Sequence, residues 1–392
     1  MQKLLNLIQD YFKICKSNKS FHILFLIFLF ASCKKEIKSS ETNNVLAAET
    51  GSLAKTSGTP AIVTTYATGL QHPRGLKFGP DGNLYVAEAG TGGTNSSAAR
   101  SCQQAPPPFG PYFGSETGGR ISKILSNGTR TTVTDQLPTT ISGIHDIMGV
   151  SDVAFIGKTL YALLAGAGCS HGVTTPNGIV KINADGSHTL VADLGSWQQA
   201  HPVAHPEPDD FEPDGVWYSM VTVNNNFYAL EPNHGDLVKV TPEGAITRVA
   251  DISASQGHVV PTALDYHGNF YVGNLGLFPI TNGSENIYKI TPDGQLQIVG
   301  TGFTTILGLA FDNRDRMYVL EDTYVPNATG PIFPTPGAGR IVRVNANGTK
   351  DIIATGFSLA TAITYGPDGN LYVSNWGFGP PFGEIKKVVL ND

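Results

Sequence analysis

The sequence has few charges, few cysteines and no long apolar run. Charged residues make up 15% of the 392 residues, and the formal net charge at pH 7 is −6. The chain therefore lacks the basic surface that a nucleic-acid-binding protein needs, and no nucleic-acid partner is expected. No apolar run reaches the length of a membrane-spanning helix. The residues that favour long helices are also too scarce for a helical domain.

Glycine and proline are abundant instead, with 45 and 25 residues respectively. This composition is typical of many short strands joined by tight turns. A single all-β domain can fill a chain of this length. The composition therefore favours one large all-β domain.

The N-terminus has the pattern of an export signal. Four lysines precede a short apolar stretch at 21–30, which ends in Ala31-Ser32-Cys33. This order of charge, apolar core and small residues predicts a secretory signal peptide over residues 1–32. The cysteine after Ala-Ser resembles a bacterial lipobox, which implies cleavage before Cys33 and a lipid on Cys33.

An exported protein, lipid-anchored to the bacterial envelope, is therefore expected, on the periplasmic or the cell-surface side of the outer membrane. Residues 33–59 are polar, have little to bury and are predicted to be a flexible tether. The folded part is predicted to occupy residues 60–392.

One unit recurs six times in this part: an apolar strand, a tight turn and a second strand with a tyrosine. The clearest copies are at 75–86 and 362–373, both with Gly-Pro-Asp-Gly-Asn-Leu-Tyr-Val. The marker tyrosines are Tyr85, Tyr161, Tyr228, Tyr271, Tyr318 and Tyr372. The spacing fits four strands per unit. The repeats predict a six-bladed β-propeller.

Each unit also carries a basic residue four positions before a turn. These are Lys123, Lys181, Lys239, Lys289, Arg343 and Lys387. They are interpreted as a charged outer face that blunts strand edges, and a track for an anionic ligand is the alternative.

The two ends of the propeller are predicted to meet. The last unit stops where its fourth strand should begin, and a spare strand, residues 61–70, lies at the other end of the domain. We expect this N-terminal strand to complete the last blade and close the ring, which removes unpaired edges.

The longest insertions fall in the longer connections, three of them after the tyrosine strands and one between units two and three, and are expected to cluster over one mouth of the central channel. They span 89–119, 165–177, 195–215 and 322–339. Cys15 leaves with the signal peptide and Cys33 takes the lipid, so two cysteines remain. Cys102 and Cys169 lie in equivalent loops of neighbouring units, and a disulfide between them is predicted.

Oxygen-bearing side chains follow five of the six marker tyrosines at the same spacing. They are Glu88, Glu231, Asn274, Glu321 and Asn375, with Leu164 at the sixth position. With Arg74, they are predicted to bind a ligand at the channel mouth, and Glu88, Glu231 and Glu321 are candidate ligands for Ca²⁺ or another divalent cation. The alternative is that these side chains cap strand ends or bond to neighbouring loops.

Other candidates are weaker. Arg74 is interpreted as a partner of Glu88, with an anion clamp as the alternative. His145-Asp146 has the residue types of a general base and its orienting acid, but adjacent residues seldom face each other. The stretch 201–214 is rich in metal-ligand types and in proline, which favours a rigid solvated loop. There is no nucleophile elbow, HExxH, P-loop or CxxC motif.

The motif order resembles the ScyD/ScyE family. The matching stretches are 72–90, 260–263, 318–321 and 369–375. This resemblance implies an exported six-bladed propeller related to NHL and gluconolactonase-like proteins, and it supplies no reaction. We therefore expect a monomeric binding or scaffold protein that holds a small molecule or protein at the channel mouth. A metal-dependent lactonase, hydrolase or oxidoreductase is the alternative.

Overall fold

The computed structural model describes residues 61–206, 212–330 and 332–391, and in them the chain forms six antiparallel sheets. The innermost strands of the sheets contact one another in a closed circle, from the first blade through the sixth and back to the first. The predicted six-bladed β-propeller is confirmed. The predicted signal peptide, the tether and Cys33 lie outside the described residues.

Strand β1 (Ile62–Leu70) precedes the first blade. The first three blades follow in chain order. Blade 1 contains β2 (Pro73–Phe78), β3 (Leu84–Glu88), β4 (Asn95–Ser96), β5 (Phe113–Ile124), β6 (Arg130–Ile141) and β7 (Ile147–Met148). Blade 2 contains β8 (Val150–Ile156), β9 (Thr159–Leu164), β10 (Gly178–Ile182) and β11 (His188–Asp193). Blade 3 contains β12 (Ser219–Val223), β13 (Asn226–Glu231), β14 (Asp236–Val240) and β15 (Ile246–Asp251).

Blades 4 to 6 have four strands each, as blades 2 and 3 do, and β1 is the fourth strand of blade 6. Blade 4 contains β16 (Pro261–Tyr266), β17 (Phe270–Asn274), β18 (Glu285–Ile290) and β19 (Leu296–Phe303). Blade 5 contains β20 (Ile306–Phe311), β21 (Met317–Glu321), β22 (Gly339–Val344) and β23 (Lys350–Phe357). Blade 6 contains β24 (Ala362–Tyr365), β25 (Leu371–Asn375) and β26 (Gly383–Val389). Two short helices, α1 (Leu194–Ala200) and α2 (Ser253–Gln256), follow blades 2 and 3. No helix among the described residues is long and apolar enough to cross a membrane.

The N-terminal strand closes the ring as predicted. Strand β1 pairs antiparallel with β26, from Ile62 opposite Val389 to Leu70 opposite Gly383. Leu70 is fully buried in a cluster that joins blade 6 to blade 1. Burying one leucine contributes about 1.5–3 kcal/mol. Each of the five other blade interfaces has its own hydrophobic cluster.

The two repeated markers face each other in every blade. Each marker tyrosine lies on the second strand, directly opposite the basic residue of the third strand, as in Tyr85 opposite Lys123 and Tyr372 opposite Lys387. The ammonium of Lys123 lies 2.6 Å from the carboxylate of the turn residue Asp81. In blade 6, Lys387 makes the same 2.6 Å contact with Asp368. These ion pairs favour the charged outer face over an anion track.

Candidate binding site on the loop-bearing face

The insertions of the first three blades pack against one another. Cys102 and Cys169 form a disulfide with their Cα atoms 6.1 Å apart, so the blade 1 loop is joined to the blade 2 loop. Nearby, Glu116 accepts hydrogen bonds from the backbone amides of Thr174 and Thr175, at 2.6 and 3.3 Å. Burial acts to raise the pKa of Glu116, but the bonds from both threonines lower it below its ordinary value.

The third insertion joins this assembly through Glu212, whose carboxylate accepts a hydrogen bond from the buried Tyr112 hydroxyl. Part of this insertion, and of the predicted metal-ligand-rich stretch, lies outside the described residues. The fourth insertion instead contacts the blade 4 loop, where Ile280 and Ile332 form a β-bridge. The insertions of blades 1 to 3 are therefore bonded to one another, and we call this part of the loop-bearing face the braced half.

The strand-end carboxylates of blades 1 and 5 turn into their own blades. Glu88 is fully buried and accepts a hydrogen bond from the Gln71 amide at 2.6 Å. Arg120 and Arg130 each lie 3.6 Å from its carboxylate. Glu321 likewise accepts from the amide of Thr304, at 2.8 Å, and forms an ion pair with a buried arginine, Arg340.

The equivalent residues of blades 3 and 6 form the same clamp. Glu231 accepts from the Val216 amide at 2.7 Å and from the His234 amide at 2.6 Å. Burial acts to raise the pKa of Glu231, but His234 and these amides lower it. The amide oxygen of Asn375 accepts from the Ser358 amide at 2.7 Å.

Asn274 in blade 4 differs from the other four. Its side-chain nitrogen donates to Glu285 at 3.0 Å, and its buried Oδ1 atom has no hydrogen-bond partner among the described residues. These contacts favour the strand-capping alternative over a shared set of ligands at the channel mouth. Glu88, Glu231 and Glu321 are each bound within their own part of the ring, as in the strand-capping alternative. No set of three or more His, Cys, Asp or Glu among the described residues is placed to hold a metal ion.

Arg74 is not the partner of Glu88. It is nearly buried and donates to the Ile147 carbonyl at 2.6 Å and to Asp146 at 3.4 Å. Its guanidinium also lies 4.1 Å from the centre of the Phe378 ring. Asp146, one of the two residues of the His145-Asp146 candidate, is thus bound by Arg74.

The central channel is largely filled. Its cavity has a volume of about 20 Å³ and is lined by the innermost strands of all six blades, which leaves room for about one water molecule. The Tyr218 hydroxyl of blade 3 donates to the Thr361 carbonyl of blade 6 at 3.2 Å. A side chain therefore reaches from one blade to another beside this cavity.

Aspartates that sequence analysis did not select hold the channel together. Asp152 of blade 2 accepts from the Met220 amide of blade 3 at 2.8 Å. A Cβ atom at Gly75 would lie 2.0 Å from the Asp152 carboxylate, so glycine is needed there. Burial raises the pKa of Asp152 to about 6, against the effect of Lys77. The half-buried Asp265 links blades 4 and 5 through the Phe311 amide, at 3.1 Å.

Asp322 is another aspartate that sequence analysis did not select, and it differs from Asp152 and Asp265 in its contacts. It follows Glu321 and is fully buried, and neither of its carboxylate oxygens has a hydrogen-bond partner within the described part of the chain. Burial raises its pKa to about 7, against the opposing effect of the Ala360 amide. Asp322 is close enough to act electrostatically on Tyr218, as are Arg74 and Asp146. Tyr218 lines the channel cavity, so this group of polar residues lies beside the channel mouth.

A much larger pocket lies on the braced half of the loop-bearing face. Its volume is about 370 Å³, which is within the range of small-molecule sites. The disulfide forms part of its wall. The polar side chains that line it are Gln103, Thr174, Asp193, Ser196, Gln199 and Asp214. We call this cavity the loop pocket.

Known structures match most of the chain at low sequence identity. A protein of unknown function from Bacteroides thetaiotaomicron shares 13% identity, with a TM-score of 0.53 over 83% of this chain and 75% of its own. A gluconolactonase from Xanthomonas campestris shares 12% identity, with a TM-score of 0.50 over 84% of this chain and 89% of its own. A luciferin-regenerating enzyme shares 10%, with a TM-score of 0.51 over 84% and 95%. The likeness shows the fold.

The propeller carries different functions in these proteins, so fold alone assigns none here. No protein-family model matches the chain, and no curated protein matches it by sequence. The described residues offer two candidate sites for a function, the loop pocket and the channel mouth.

Proposed function

We propose that the protein is a lipid-anchored, monomeric propeller of the cell envelope, of the ScyD/ScyE type, that binds a ligand in its loop-bearing face. One observation carries the proposal. The channel retains a cavity of about 20 Å³, whereas the braced loops enclose about 370 Å³. Binding sites are concave and large enough to surround a ligand, and only the second of these cavities meets that description.

The strand-end residues support the same conclusion. Four of the five oxygen-bearing side chains accept backbone amides of segments that enter their blades. These side chains are therefore buried and already bonded within their blades. A ligand at those atoms would have to displace hydrogen bonds whose loss leaves buried amides unpaired, at about 1–3 kcal/mol each.

The experiment that tests binding against catalysis uses the whole purified protein and a panel of sugars, amines and lactones. Thermal stability and substrate turnover are measured on the same samples. Stabilisation that rises with ligand concentration, without turnover, is the expected result. Turnover of a lactone, lost in an Asp322→Asn variant, would overturn the binding proposal.

The anchor is tested separately. Cys33 is the proposed lipidation site, and the membrane of the envelope is the proposed partner. In cell fractionation, the unaltered protein should sediment with membranes and a Cys33→Ala variant should not. A Cys33→Ala variant that stays in the membrane fraction would contradict the anchor, whatever the ligand results show.

The second candidate function is catalysis at the channel mouth, as in a lactonase, hydrolase or oxidoreductase. The observation that favours it is Asp322, a buried carboxyl whose pKa is raised to about 7. A group of that pKa can take up and release a proton at neutral pH, as general acid–base catalysis requires. Among the solved structures of the same fold is a gluconolactonase, which makes lactones the first substrates to test.

A further inference from the structure

The loop pocket is built from four separate segments, and each is fixed by its own contacts. The blade 1 loop supplies Gln103 beside the disulfide, and the blade 2 loop supplies Gly168 and Thr174. Helix α1 and the connection to blade 3 complete the wall. Because covalent and hydrogen-bonded contacts hold these segments before any ligand arrives, little conformational freedom remains to be lost on binding.

The lining of the pocket is rich in hydrogen-bond acceptors and carries negative charge. Asp193 and Asp214 both line it, and no lysine, arginine or histidine among the described residues does. His171, which does not line the pocket, acts electrostatically on Asp214. Burial lowers the pKa of His171 to about 4, so this ring is neutral at pH 7 and does not neutralise the carboxylate.

Each carboxylate has acceptor capacity left over. Asp214 accepts from Ser170 through its amide and its hydroxyl, at 2.7 and 2.5 Å, and from the Gln199 side chain at 3.2 Å. Asp193 accepts from the amide and the hydroxyl of Ser196, at 2.8 and 2.7 Å. A carboxylate offers about four acceptor positions. One position therefore remains on Asp214 and two on Asp193.

We propose that the loop pocket binds a small uncharged or cationic molecule that carries several hydroxyl or ammonium donors, with Asp193 and Asp214 as its principal acceptors. This proposal rests on the proposed binding function and names the ligand class. An anionic ligand is disfavoured, because it would bring a second negative charge against two carboxylates without a cation in the lining.

Three sugars of similar size and different charge test the ligand class. Glucosamine is cationic, glucose is uncharged and glucuronate is anionic. Titration of the whole protein, followed by ligand-observed NMR, should show binding in that order, with glucuronate weakest. Equal or tighter binding of glucuronate would overturn the acceptor chemistry, and no binding of any of the three would overturn the ligand class.

Three variants test the location of the site. Asp193→Asn should weaken glucosamine binding about tenfold or more, because it removes a charged acceptor. Gln103→Arg changes an exposed side chain and places a cation in the lining, so it should weaken glucosamine and strengthen glucuronate. Asp185→Asn, at an exposed turn of the same blade, is the matched control and should change nothing.

The outcomes separate this inference from the proposed function. Glucosamine binding that is unchanged by Asp193→Asn and by Gln103→Arg would place the ligand elsewhere on the protein. The assignment of the ligand to the loop pocket would then be wrong, while the proposed binding function would remain. Binding of lactones with turnover in the earlier panel would instead overturn the binding function itself.

Discussion

The channel mouth and the loop pocket use the same side chain in opposite ways. In the channel, Asp152 and Asp322 are buried, and burial raises the pKa of the first to about 6 and of the second to about 7. In the loop pocket, Asp193 and Asp214 brace backbone segments and keep acceptor positions free. An aspartate can therefore bind a ligand only where there is space beside its carboxylate.

The largest expected effect comes from the clamps that surround the channel. Glu321→Ala removes the partner of the buried Arg340 and the acceptor of the Thr304 amide. Breaking a buried ion pair in this way costs about 3–5 kcal/mol. Urea denaturation should show this loss in the free energy of unfolding. Glu243→Ala, at an exposed turn, is the control and should stay within about 0.5 kcal/mol of the unaltered protein.

A change of the opposite sign is expected at Asp322. Asp322→Asn replaces a buried carboxylate that lacks a hydrogen-bond partner in the described structure. The pKa of this group is raised from 3.8 to about 7, so the variant should gain up to about 4 kcal/mol at neutral pH, at 1.36 kcal/mol per pKa unit. If Asp322→Asn is less stable than the unaltered protein at pH 8, the carboxylate has a stabilising partner and this account fails.

The pH dependence of that gain follows from the direction of the shift. The folded state holds the Asp322 proton more tightly than the unfolded state, so folding is favoured at low pH by this group. Below about pH 4 the carboxyl is protonated in both states and the variant gains nothing. The advantage should grow as the pH rises from about 4 to about 7 and stay constant above that. Denaturation of both proteins at pH 4, 5.5 and 8 measures it.

The sequence predicts the fold well because each blade repeats the same local pattern. The tyrosine and the basic residue recur at fixed positions, and they pair across strands in all six blades, as with Tyr271 opposite Lys289. Closure by residues 61–70 follows from counting strands. Both predictions depend on the pairing of strands, and this pairing is determined by the repeat length and by the residues at the turns.

The channel site could not be predicted in the same way. Sequence analysis correctly placed Glu88 and Glu321 at equivalent strand ends. The direction of a side chain at a strand end, however, depends on the hydrogen-bond donors nearest to it. Those donors are the amides of Gln71 and Thr304, which lie 17 residues away in the chain in each case. The position after Glu321 carries an acid in blade 5, Asp322, and hydrophobic residues or proline in the other blades. That exception was the available signal.

Loss of the disulfide should affect the loop pocket more than the channel. The bond closes a loop of 67 residues between Cys102 and Cys169. A Cys102→Ser, Cys169→Ser double variant should therefore lose about 2–4 kcal/mol of stability and weaken glucosamine binding, because the pocket wall is no longer joined. Denaturation and titration are compared with and without reductant. Reductant should change neither the stability nor the glucosamine binding of the double variant. If the double variant binds glucosamine as well as the unaltered protein does, the disulfide is not needed for the pocket wall.

The smallest expected loss of stability comes from Gly168→Ala, which separates the two sites because it displaces one carboxylate of the loop pocket and leaves the channel unchanged. Gly168 has φ 92° and ψ 167°, a conformation that other residues rarely adopt, and a Cβ atom there would lie 2.5 Å from the Asp214 carboxylate carbon. Gly168→Ala should therefore cost about 1–3 kcal/mol and displace Asp214 from the pocket. Titration should then show weaker glucosamine binding, while the pH dependence attributed to Asp322 stays the same. If both change together, the two sites are coupled and the contrast between them does not hold.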